Sequence, residues 1–518
     1  MKLYKNLFFV FLAGVMLFSS CKEETTSQLS VIPSNATFVV AFEAQKMVQK
    51  GGLNKLPDYK LFQKVQGKMA SMDTGIQKFI DEFLKDPKSS GLDFEKIYVY
   101  GVKEGDGFYC SANFKMDNRS TFEKKMTELS QIQGQNLPEV EDKGDYKIID
   151  CNEVIIAWND NLLQLSGGDL SAFDHELLFN LPSDKSILSV ADFAAFQKKP
   201  YDIGFWMSYG EFLKLMEQMS GVVKMPSYLN EFADSYVHSY VNFEDGELKA
   251  LVRMSPQSKV DEFVKKYPVI KKESNTALLE DFPEKSYLLT KLSVNWEEYL
   301  KLMMESLSQM QMPSGANPSY LQILEDPTVK TLFDIIEGDM LFSIYNLAQG
   351  PLPLPLAGLS FTLKNDGDFE RLLALFPEEM LKQSGDYYVI STPFMIGIYI
   401  GYKDKRVLIT DDADAIASFT GKGFSPNLKS NPMAEILKKS PALVYMNLDL
   451  ETYPENLRTL LQNISPEVNM GLSVLKPFKD MSYYANEKGE VIFSLKFKDS
   501  KQNSLKTILK LVDDTAFK

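Results

Sequence analysis

Residues 96–115 read KIYVYGVKEGDGFYCSANFK. Two runs rich in aromatic and β-branched residues, 96–103 and 108–115, flank Glu104-Gly105-Asp106-Gly107. That tetrapeptide supplies the glycine-rich turn chemistry of a β-hairpin. In the second run Phe108, Cys110, Ala112 and Phe114 alternate onto one face, which assigns Cys110 to a core. Upstream, 37–43 (TFVVAFE) reads as another strand, and 58–84 repeats apolar residues at three- and four-residue spacing, as a helix does. Downstream, 120–130 reads as a helix and a strand begins near Asp145. Short strands at 153–158 and 161–165 follow.

The element order is therefore β-α-β-β-α-β, the split β-α-β pattern of a ferredoxin-like unit, and the fold class is α+β. In that order the strand of Cys110 and the strand ending at Cys151 flank the first strand on opposite sides, roughly 9–10 Å apart. A disulfide needs Cα atoms within about 7 Å, so Cys110 is read as a buried free thiol, with a Cys110–Cys151 disulfide as the alternative if the strand order differs.

The rhythm returns three times. Residues 202–208 lead to GEFLKLMEQM and the hairpin SYVHSYVNFEDGELKALVRM. Residues 287–294 lead to WEEYLKLMMESL and strands near 339–345 and 356–363. Residues 442–448 lead to a helix at 453–462 and the hairpin DMSYYANEKGEVIFSLKFK. Phe212-Leu213-Lys214-Leu215-Met216 echoes Tyr299-Leu300-Lys301-Leu302-Met303, and GDYKIIDCNEVIIAWNDNLLQLSGG parallels GDYYVISTPFMIGIYIGYKDKRVLITDD. Tandem ferredoxin-like β-α-β-β-α units with antiparallel sheets, in a long-short-long-short internal duplication, account for this. The expected divisions are 1–20 signal peptide, 21–30 lipidated acidic tether, 31–195 first long unit, 196–278 first short unit, 279–430 second long unit and 431–518 second short unit.

The 518 residues exceed what one hydrophobic core supports, and 44% apolar with 24% charged residues is ordinary for a globular chain. A net charge of −14 disfavours nucleic acid, whose phosphates reward dense basic patches. Three cysteines and two histidines, His175 and His238, leave little for a disulfide scaffold, zinc ligation or imidazole catalysis.

At the N-terminus Lys2 and Lys5 precede an apolar run, 7–18, which is shorter than the roughly 20 residues of a membrane-crossing helix. It has the length of a signal-peptide core. Its end, Leu17-Phe18-Ser19-Ser20-Cys21, resembles the bacterial lipobox. In lipobox proteins the cysteine thiol receives a diacylglycerol, cleavage falls just before it, and the new N-terminus is acylated, with palmitate as a typical chain. Each buried methylene then adds roughly 0.8 kcal/mol of membrane attachment. Lys22-Glu23-Glu24 resembles the acidic tag that sends Bacteroidetes lipoproteins to the cell exterior, and 25–30 reads as a flexible linker.

No catalytic constellation stands out. His175-Glu176-Leu177-Leu178-Phe179 lacks the second histidine of a zinc motif, and Thr420-Gly421-Lys422-Gly423 lacks the rest of a P-loop. Asp366-Gly367-Asp368 and Asp411-Asp412-Ala413-Asp414 do not have EF-hand spacing and read as helix caps. Trp158, Trp206 and Trp296 read as core. No catalytic residue, metal ligand or cofactor is assigned. Methionine is adaptable and common at binding surfaces, so Met216, Met219, Met303, Met304, Met310 and Met312 form the candidate partner-binding set. The loop 309–318 (QMQMPSGANP) lies beside them as a candidate recognition element.

With the lipobox, the acidic tag, the opening IPSNATFVVAFEAQKMVQKGGLNKL and the repeated units, the chain resembles an uncharacterised lipoprotein family of the Bacteroidetes. That family is a domain of unknown function spanning nearly the whole mature chain. The resemblance implies an outer-membrane location and contributes no catalytic residues. The expected function is that of a membrane-anchored envelope lipoprotein, a non-enzymatic binding or scaffold protein at the cell surface. Its partners would be the membrane, through the lipid anchor, and a protein or glycan. The alternative is a carboxylate-dependent hydrolase of envelope or extracellular polymers, for which 70 acidic residues supply ample material.

Overall fold

The computed structural model describes residues 26–515 except 54–58, 61–62, 64–77, 79–81, 83–85, 106, 133–138, 152–153, 171–178, 221–226, 272–273, 310–325, 349–353, 392–396 and 465. The chain forms two compact units. The first holds the chain up to Met219 with Phe232–Pro256 and Asp499–Lys518; the second holds Ser220–Glu231 and Gln257–Lys498.

In the first unit β1 (Ala36–Phe42) precedes the quoted hairpin, β2 (Leu92–Glu104) and β3 (Gly107–Met116), whose ends meet at Glu104 opposite Gly107. Then come β4 (Glu141–Asp142), β5 (Lys147–Asp150), β6 (Val154–Trp158), β7 (Leu162–Gly168), β8 (Ile203–Ser208), β9 (Tyr236–Glu244) and β10 (Glu247–Ser255). Hydrogen bonding orders them 4-5-6-7-3-2-1-8-9-10, antiparallel throughout.

The helix Arg119–Ile132 follows β3 as read, but the helix that directly follows β1 is Ala44–Gly51, and most of the helix read at 58–84 lies outside the described residues. The ferredoxin-like pairing is not observed. A split β-α-β sets the two strands joined by its helix parallel, with a third strand between them, whereas β1 lies directly against β2 in antiparallel register, Val39 opposite Tyr100. Element order does not encode which strands touch, and a meander uses the same order.

Period-two alternation sorts the side chains onto two buried faces. Val39, Ala41, Tyr98, Tyr100, Val102, Trp206 and Tyr240 pack under Leu29, Ile32, Ile187, Phe193 and Phe196. On the other face Ile97, Ala112, Phe114, Leu163 and Leu165 pack with Ala44 and Phe122, from the two helices of the repeat. The C-terminal helix Ser504–Thr515 adds Leu505 to a third cluster with Met47 and Phe243. The Gly51-Gly52 pair of the GGLNK stretch has two physical reasons. A Cβ on Gly51 would lie 2.9 Å from Leu509, and Gly52 ends its helix at φ 68°.

The second unit contains β11 (Leu288–Ser293), β12 (Ile336–Leu347), β13 (Pro355–Leu363), β14 (Leu381–Ser384), β15 (Tyr387–Ser391), β16 (Gly397–Lys403), β17 (Arg406–Thr410), β18 (Ala442–Asn447), β19 (Phe478–Ala485) and β20 (Val491–Phe497). Their order is 14-15-16-17-13-12-11-18-19-20. Each strand stands where its counterpart ten places earlier stands in the first unit. The match extends to irregular parts. Pro33 bridges Ser186 ahead of β1, and Pro283 bridges Asn427 ahead of β11. The neighbouring Ile32 and Phe282 are both fully buried.

Cys110 and Cys151 are free and half-buried, and burial pushes both thiols up. What separates them differs from the expectation: β7 and β6 stand between β3 and β5, rather than β1. Asp412 caps the helix Ala413–Thr420 as read, accepting from the N–H groups of Asp414 and Ala415. Asp368 instead sits in the first turn of its helix and binds Asn365 and Arg371. Trp158 and Trp206 are core residues, whereas Trp296 is half-buried against Phe333.

Candidate functional site

Cys21, Lys22, Glu23, Glu24, Met310 and Met312 lie outside the described residues, as do His175 and most of the 309–318 loop. Met216 is half-buried on the first-unit helix Tyr209–Ser220, which also carries Met219. In the second unit Met303 is half-buried and Met304 is 41% exposed on the helix Trp296–Gln309. Three local constructions carry more chemistry than these methionines.

The first is the root of the N-terminal segment. Residues Thr26–Ser30, read as linker, form a helical turn with Gln28 and Leu29 buried. Gln28 Nε2 donates to the carbonyls of Lys96 (3.0 Å) and Asn113 (3.2 Å), and Asn113 Nδ2 donates back to the Gln28 carbonyl (2.8 Å). Ser186 Oγ donates to the Leu29 carbonyl, and the Ile187 amide to that of Ile32. Asn113 on the sheet and Ser186 beside it thus receive the incoming chain. Asn113→Ala is expected to cost about 1–3 kcal/mol, because buried partners lose their hydrogen bonds. Hydrogen exchange should show the amides around Leu29–Ile32 losing protection first.

The second is a buried hub in the first unit. Asp192, in the first turn of the helix Ala191–Gln197, points to the row where Trp206, His238 and Arg253 face one another across β8, β9 and β10. Its Oδ1 accepts from Trp206 Nε1 (3.0 Å) and His238 Nε2 (2.6 Å), and its Oδ2 accepts from the Ser255 hydroxyl. Burial alone would raise its pKa. The donations from His238, Ser255 and Trp206 outweigh burial and hold it below the ordinary carboxylate range. An ionised carboxylate only accepts, so Nε2 of the fully buried His238 carries the proton. Its Nδ1 then offers a lone pair to Arg253 Nη2 (3.4 Å), with the Tyr240 hydroxyl at 3.2 Å. Serine, histidine and aspartate meet here in an order unlike that of a nucleophilic triad. The aspartate stands between the other two, so Ser255 has no imidazole to take its proton.

The third is in the second unit. Asp281 and Arg406, both under 10% exposed, form an ion pair, completed by Ser360 Oγ on Asp281 (2.7 Å) and by Arg406 donating to the Ala277 carbonyl (2.8 Å). Desolvation, only partly offset by Arg406, pushes the Asp281 carboxyl up to about 7. Close by in the chain, the buried Lys291 donates to the Leu437 and Ser440 carbonyls at the end of the helix Ala434–Lys439. Burial lowers its pKa to about 8.

Sequence reasoning set His238 aside because it treated histidines singly. The signal was positional: Trp206, His238, Arg253 and Ser255 all fall on inward positions of neighbouring strands.

No curated protein matches this chain. A model of a domain of unknown function, DUF4836, matches residues 29–505, beginning at the buried root and ending within the C-terminal helix. The chain therefore belongs to the DUF4836 family.

Proposed function

We propose that this chain is a Bacteroidetes envelope lipoprotein, anchored in the outer membrane through acylated Cys21, exported outward by Lys22-Glu23-Glu24, and acting by binding rather than by catalysis. The observation that carries this reading is the root. A folded body begins at Gln28, seven residues beyond the lipobox cysteine, with both Gln28 and Leu29 buried. Seven extended residues span at most about 25 Å, so an anchor at Cys21 holds the body close to the bilayer. The matching strand orders of the two units support an internal duplication, which gives a binder two related bodies. The titratable groups of the hub and of the Asp281–Arg406 pair are engaged with one another, which favours structural over acid–base roles. The half-exposed methionine-bearing helices remain the candidate partner surface.

One observation favours the hydrolase reading. Asp281 and its neighbour Glu280 have pKa values pushed apart, the first up by burial and the second down by Lys429. Asp281, however, is only 2% exposed and held by Arg406.

Fractionation and protease shaving of intact cells test the proposal. Wild type should fractionate with the outer membrane and be shaved, while Cys21→Ala should leave the outer-membrane fraction. Resistance to shaving in intact cells would place the body on the inner face. A Cys21→Ala chain that still fractionates with the outer membrane would overturn the anchor.

A further inference from the structure

The chain has five arginines. Arg119, Arg371 and Arg406 each pair with carboxylates, while Arg458, on the helix Glu455–Ile464, has an Nε buried without an acceptor. Arg253 differs: among the described residues its guanidinium meets only the His238 Nδ1 lone pair and the face of Tyr240, 5.8 Å from the ring centroid. Its Nε is sealed from solvent without an acceptor. Lys199 brings a second cation to within 5.3 Å of the same ring centroid. A guanidinium offers five donors and a full charge, and withdrawing them from water without an acceptor is costly.

The fold does not require this arrangement. The second unit builds the corresponding cross-strand row from Leu289, Tyr445, Ser482 and Ser494, where the first has Val39, Trp206, His238 and Arg253. The residue corresponding to Asp192 is Glu435, which is exposed and paired with Lys438. Two sheets of one topology thus differ by a complete Asp–His–Arg relay, present in one and missing from the other. Asp192 fixes the His238 tautomer, and His238 fixes one edge of the guanidinium. Among the described residues the remaining Nη donors meet no carboxylate.

We propose that Arg253, oriented by His238 and Asp192 and flanked by Tyr240 and Lys199, is a receptor for an oxyanion: a carboxylate or phosphate group presented to the first unit. A guanidinium fork matches either group with two parallel hydrogen bonds, and the neighbouring ammonium adds long-range attraction.

The chain's two histidines make imidazole NMR a two-signal spectrum. The mature full-length chain should be titrated with inorganic phosphate, and separately with N-acetylglutamate, at ionic strength held constant with chloride. An anion drawing Arg253 away from Nδ1 should shift one histidine signal saturably. Saturation by phosphate alone assigns the site to phosphate groups; saturation by N-acetylglutamate alone assigns it to carboxylates. Arg253→Gln should weaken the apparent Kd by about tenfold or more, the scale of a lost charged hydrogen bond. Arg253→Lys keeps the charge without the fork and should bind more weakly than wild type. A wild-type signal unmoved by either anion overturns the proposal, whatever the variants do. So does the same saturable shift persisting in folded Arg253→Gln.

Discussion

Asp192→Ala is expected to destabilise the first unit by about 3–5 kcal/mol, the cost of orphaning several buried donors at about 1–3 kcal/mol each. Trp206 Nε1, His238 Nε2 and the Ser255 hydroxyl all end on this one carboxylate. Trp206 and His238 are fully buried, so water cannot replace the lost acceptor without opening the face. Asp192→Asn keeps one acceptor oxygen and should fall between wild type and alanine. Urea unfolding followed by tryptophan fluorescence reads this well, because Trp158 and Trp206 lie in the first unit and Trp296 in the second. The expected result is a first-unit transition moved to lower urea with the second unmoved. A shift corresponding to under about 1 kcal/mol would mean that the hub contributes little beyond packing.

Arg406→Ala should act on the second unit with similar size and a distinct pH signature. Removing one partner of a buried ion pair leaves an uncompensated charge and costs about 3–5 kcal/mol. Here that charge is Asp281, whose carboxyl burial already raises to about 7. A carboxyl with a raised folded pKa binds its proton more tightly when folded than when unfolded. Its contribution to stability is therefore greatest below the unfolded pKa, about 3.9, and falls as pH rises towards 7. Arg406 works against that rise, so its loss extends the rise to higher pH. The full deficit is expected at pH 8. At pH 5, where Asp281 is protonated in the folded variant, the deficit should shrink by at least about 1 kcal/mol, since one pKa unit is worth 1.36 kcal/mol. A deficit independent of pH would show that Arg406 stabilises by packing and by its bond to the Ala277 carbonyl alone.

The parts of this fold that were legible in the sequence were those governed by local chemistry. The 96–115 hairpin declared its turn and its alternation, Asp412 its cap, and FLKLM its echo in a second helix. Pairing was not legible. Whether β1 lies beside β2 or is separated from it by another strand depends on where the connecting chain returns, and periodicity carries no information on that. The root was misread because Thr-Ser-Gln-Leu-Ser looks like a solvated linker. Asn113, buried on the facing sheet, exchanges hydrogen bonds with Gln28 and makes it a docking segment. The hub was missed for a related reason. Its members lie up to 63 positions apart, and only the register of β8, β9 and β10 brings them into one row.

Acyl labelling tests the central claim, attachment through Cys21, most directly. Cells expressing the full chain or Cys21→Ala are grown with a labelled fatty acid, and the immunoprecipitated protein is examined for label. Label is expected on the wild type and none on Cys21→Ala, which should retain the uncleaved 1–20 segment. Equal labelling of the two chains would contradict it.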